Sequence, residues 1–145
     1  MKNIQKQQFV KIAGIFLFAF MVVICVQGQS YSQSLLINKE WVNRYITDLH
    51  TIHFFTDKEI VVKIYHKGKK SDVELISSYY LSEEVVDKFQ PDSVGNSKNG
   101  KYIVKFRKLK DGSELFELYE ILELTEKTLK TKHLRSGSVL EYKVE

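Results

Sequence analysis

A single cysteine and a single proline occur in 145 residues, with only four histidines. Cys25 alone can build neither a disulfide framework nor a cysteine-rich metal site. One proline, Pro91, rules out a proline-rich linker. His50 and His53 are three apart and would point to opposite faces of a strand, so no shared metal site is expected. HExxH pairs, phosphate-cradling glycine loops and nucleophile elbows are all missing. The reading is therefore of a chain with no cofactor and no catalytic motif, not an enzyme.

Polar residues are lacking in one place, the unbroken apolar run from Ile12 to Val26, which follows Lys2, Lys6 and Lys11. As a helix the run would measure roughly 22 Å, short of the roughly 30 Å hydrocarbon core of a bilayer. A basic start, a short apolar stretch and the small Gly28 read as a secretory signal over residues 1–28, cut before Gln29. An uncleaved signal anchor is the alternative. Lipidation at Cys25 is a third possibility, disfavoured because the bulky Ile24 stands where lipoprotein processing wants a small residue.

The signal carries three lysines and no acid, so the remainder has 19 basic against 18 acidic residues. Its near-neutral balance removes the basic patch that nucleic-acid binding needs. The expected location is the periplasm or the extracellular space, with no membrane contact after cleavage. Residues 29–35 read as a polar lead-in and 36–145 as one domain. Oligomeric state is not legible.

Period-two alternation dominates this domain. Ile60, Val62 and Ile64 share one face, as do Leu140, Tyr142 and Val144. In the 101–108 segment Tyr102, Val104 and Phe106 form the apolar face and Lys101, Lys105 and Arg107 the charged one, with Ile103 the exception. The apolar face is expected to point inward, so that Lys105→Asp would be tolerated. Strands are expected near 51–55, 59–66, 73–80, 101–108, 114–124, 128–134 and 139–144, joined by turns such as Lys67-Gly68 and Asp111-Gly112.

Segment 114–124 also matches helical spacing, but its apolar residues would spread right around a helix, so a long bulged strand is preferred. Its glutamates are expected on the wet face. Between Tyr80 and Lys101 the connection is too long for a turn. A short helix is expected there, capped by Ser82, with Val85, Val86 and Phe89 on its apolar side. These three are the candidates for a lid over a barrel mouth, the alternative being a plain packed crossover. The fold class expected is all-β: an antiparallel up-and-down meander closing into a small barrel of seven to eight strands.

The lone Trp41 ahead of the first strand, the hairpin series and the closing Tyr119-Glu-Ile-Leu-Glu-Leu-Thr-Glu-Lys-Thr-Leu129 resemble the small lipocalin-like proteins of bacterial envelopes over residues 36–145. The sequence departs from the lipocalin signature at Lys39, where that signature has glycine, and Arg135 is the candidate for the arginine that packs on the tryptophan. The resemblance implies an apolar small molecule held in the barrel, lined by Tyr79, Tyr102, Phe106, Phe116 and Tyr142, with Thr131 and His133 as polar points. The other reading is an interaction or inhibitor module that meets an envelope protein through surface aromatics such as Tyr65 and Tyr80.

Overall fold

The computed structural model describes residues 29–46 and 48–145. The expected signal, with Cys25, lies outside them. Among the described residues no helix is long and apolar enough to cross a membrane.

Local turn chemistry sets the hairpins. Lys67 and Gly68 both take positive φ, 49° and 73°, the pairing whose twist suits a two-residue hairpin. Thr56 Oγ1 accepts from the amides of Lys58 and Glu59, and Thr125 Oγ1 from those of Lys127 and Thr128, folding two further reversals at one end of the molecule.

Among the described residues ten strands follow in chain order: β1 Tyr31–Ser32, β2 Glu40–Ile46, β3 Leu49–Phe55, β4 Glu59–His66, β5 Lys69–Ser82, β6 Asn99–Gly100, β7 Tyr102–Lys108, β8 Glu114–Leu124, β9 Thr128–His133 and β10 Val139–Val144. Eight of them close an antiparallel barrel in the order β10-β2-β3-β4-β5-β7-β8-β9, and β1 pairs with β6 outside it. The fold is all-β and meander-like. Segment 114–124 is a strand, with its register shift between Ile121 and Glu123. β2 was not foreseen; it completes the eight.

The barrel has a closed end and an open one. At the closed end the chain enters through a 3-10 turn, Gln33–Leu35, which buries Gln33 and Leu36 under Trp41. Trp41 Nε1 donates to Leu36 O at 2.8 Å, and Gln33 Nε2 donates to Tyr79 Oη at 2.9 Å while Tyr79 Oη donates to Thr56 O at 2.7 Å. The segment expected as a polar lead-in is thus part of the plug. Arg135 is exposed in the β9–β10 turn at the opposite end from Trp41. The cation over the Trp41 ring is Lys39, with Nζ 5.9 Å from the ring centroid.

Residues 83–98 leave from the closed end, not the mouth. No helix forms at Ser82 to Phe89; the connection contains one 3-10 turn, Pro91–Ser93. Phe89 stacks on Phe106 with ring centroids 4.7 Å apart, and Val86, Phe89 and Val94 pack over Tyr80, Val104 and Leu118 on the outside of the barrel. Val85 is 60% exposed. The three lid candidates therefore belong to a crossover packed on the outer wall.

Gly100 pins the return of this connection. A Cβ there would lie 2.4 Å from Ser82 O and 2.5 Å from Ser82 N, both backbone atoms that cannot swing aside. Gly100→Ala is expected to lower stability by about 2 kcal/mol or more, read in urea unfolding, whereas Gly112→Ala, which meets no atom within 4 Å, loses only the cost of its positive φ.

Candidate functional site

Pairing fixes which residues face inward. Ile103 pairs with Leu81 and Tyr119, and Lys105 with Tyr79 and Glu117, whereas Val104 pairs with Tyr80 and Leu118. Leu81, Ile103 and Tyr79 belong to the core inside the barrel; Tyr80, Val104 and Leu118 form a second core beneath the crossover. Hence the phase expected for 101–108 is inverted. Tyr102, Phe106 and Phe116 face out, and Lys105 and Arg107 face in. The crossover supplies the reason: it covers the outer wall, so an apolar face is needed there too, and alternation alone cannot say which apolar face is the lumen.

Moving toward the mouth, inward side chains stay apolar on β4, with Ile60, Val62 and Ile64, and change from apolar to polar on three other strands. β3 runs Phe55, His53, Thr51; β7 runs Ile103, Lys105, Arg107; β9 runs Leu129, Thr131, His133. At the junction is a residual cavity of about 30 Å³, with Phe55, Ile60, Ile103 and Leu129 as its floor and His53, Lys105, Tyr119 and Thr131 above, beside Tyr142. That volume holds about one water molecule.

A polar network forms the upper wall. Lys105 Nζ lies 3.0 Å from Glu117 Oε2, with only 15% and 18% of the two side chains exposed. Tyr119 Oη donates to Glu117 Oε1 at 3.0 Å. Burial pushes the Glu117 carboxyl up, but the Lys105 charge and the hydrogen bonds from Lys105 and Tyr119 outweigh it and hold the group below the usual carboxylate range. Burial, then the Glu117 charge, raises the Tyr119 phenol; burial is also the main cause of the rise at Tyr142. Ser77 Oγ and Arg107 Nε are buried without a hydrogen-bond partner among the described residues, and Thr131 Oγ1 is buried with the Tyr142 hydroxyl as its polar neighbour.

His53 shares an inter-side-chain hydrogen bond of 3.1 Å with Thr51 Oγ1 and meets the Tyr142 ring edge-on at 4.8 Å. Burial, reinforced by the Lys105 charge, lowers its pKa from 6.5 to about 3. Between those values the unfolded chain takes up a proton that the folded chain refuses, so stability falls as pH drops below 6.5. By pH 5 the loss should reach about 2 kcal/mol, at up to 1.4 kcal/mol per pH unit. Glu117 adds its own loss lower down, as its carboxylate is protonated. His53→Gln should flatten the limb from pH 6.5 to 5 in denaturant melts; an unchanged slope would place the imidazole in water.

Of the residues expected to line a lumen, the barrel brings together Thr131 and Tyr142 at the cavity and His133 nearer the mouth, where it packs against Tyr119 at 4.9 Å. Tyr79 is inside but locked into the closed end. His53, Lys105, Glu117 and Tyr119 were missed as site residues, although Ile103, out of phase with its neighbours, was the available signal. His50 faces out and stacks on Tyr65 at 4.8 Å, opposite in direction to His53. Among the described residues no group of three or more His, Cys, Asp or Glu could hold a metal ion.

On the outside, Phe89, Phe106 and Phe116 line an open groove of about 660 Å³ with Pro91, Asp87 and Glu114. Comparison with known proteins adds no relative: no family model, no curated protein and no solved structure matches this chain.

Proposed function

We propose that this is an exported, non-catalytic binding protein of lipocalin-like architecture, which takes the polar end of a small ligand into the open half of its barrel. The observation that supports this reading is the polar network around the residual cavity. The Lys105–Glu117 pair and the buried hydroxyl of Thr131 weaken a core that apolar side chains would fill better, and the barrel's closure does not call for them. Unfilled hydrogen-bonding capacity facing a cavity is what a ligand's polar group can satisfy.

The cavity volume argues against an apolar molecule enclosed whole, since ligand pockets ordinarily run to about 300 Å³ or more. A second reading has its own observation, the outer aromatic groove, which fits a partner protein laid against Phe89, Phe106 and Phe116.

A thermal-shift screen of small polar fragments separates the two. Hits whose stabilisation is reduced by Thr131→Val and unaffected by Phe116→Ala support the interior site. Hits with the reverse dependence favour the groove.

A further inference from the structure

The charges inside the barrel do not balance, and the imbalance says what kind of ligand would complete them. Lys105 and Arg107 both face inward on β7 at successive inward positions, and Glu117 is the carboxylate paired with Lys105. Glu117 is fully engaged, one oxygen with Lys105 and the other with Tyr119. Arg107 has no carboxylate within ion-pair distance among the described residues. Its Nε is buried without an acceptor, although it sits close enough for its charge to act on the Tyr119 phenol. A guanidinium is a planar fork with donors arranged for a carboxylate, and a buried donor left empty costs about 1 to 3 kcal/mol.

Resting on the interior-site reading above, we infer that the ligand is an organic monoanion held through a carboxylate by Arg107, above the Lys105–Glu117 pair. His53 stays neutral at physiological pH, so the inward ionised groups named here carry one positive charge in excess. A monoanion cancels that excess. A phosphate dianion would overshoot it and be repelled by the fixed charge of Glu117.

Benzoate and its uncharged isostere benzamide test the charge requirement, with inorganic phosphate as a third probe. Affinity is measured by calorimetry, and the site is located from the ¹⁵N–¹H signal of Arg107 Nε and the amides of Lys105 and Thr131. Benzoate is expected to bind about tenfold or more tightly than benzamide and to shift the Arg107 Nε signal. Arg107→Gln should abolish that preference, and Arg107→Lys should restore part of it. Circular dichroism and melting temperature verify that the variants fold. Equal affinity for benzoate and benzamide at the inward residues, or preference for phosphate, overturns the carboxylate inference and leaves the interior site standing. Shifts at neither Arg107 nor Thr131 with any of the three probes overturn both.

Discussion

Lys105→Asp is expected to destabilise the protein by about 3 kcal/mol, because it removes the partner of Glu117 and sets a second carboxylate beside it in a space from which water is largely excluded. Lys105→Met paired with Glu117→Leu should recover most of that loss, since a well-packed apolar pair replaces an ion pair of this kind at little cost. Urea unfolding midpoints give both values. A Lys105→Asp protein within about 0.5 kcal/mol of the parent would show the lysine in solvent, on the face where plain alternation first placed it. Val104→Asp is also expected to destabilise, but from the outer layer, where Val104 is covered by the crossover together with Tyr80 and Leu118.

Trp41→Ala should cost about 3 to 5 kcal/mol. The indole is fully buried at the closed end, and its loss leaves both a void and the Leu36 carbonyl without its donor. Trp41→Phe keeps most of the volume and loses the hydrogen bond, so it should fall near 1 to 2 kcal/mol. Thermal or urea melts of the two variants check the ordering. Equal, small losses would mean that residues 31–36 do not depend on Trp41 to seal the barrel.

How much of this was legible depends on how each strand is clothed. Ile60, Val62 and Ile64, and Leu140, Tyr142 and Val144, have one apolar face and face inward as read. β7 misled because both its faces are covered, one by the lumen and one by residues 86–94, and Lys105 and Arg107 are held inside rather than wetted. β2 was invisible because Asn43 and Arg44 interrupt its apolar residues. Asn43 turns inward and its Nδ2 donates to Glu141 O at 2.7 Å, where the β2–β10 ladder has given way after two pairs. The path of the 83–98 connection depends on long-range contacts such as Phe89 with Phe106, which no local pattern encodes. Inward positions were legible on cleanly alternating strands, as at Thr131, His133 and Tyr142, and misread on β7 and β8.

The central claim is that a ligand enters the polar half of the barrel instead of resting on the outer groove. A ¹⁵N-resolved NMR titration with the strongest fragment hit measures this directly. The account predicts shift changes concentrated at inward residues near the cavity, His53, Lys105, Tyr119 and Thr131, with Phe89, Phe106 and Phe116 unmoved. Changes confined to those three phenylalanines and their neighbours on the outer wall would contradict it.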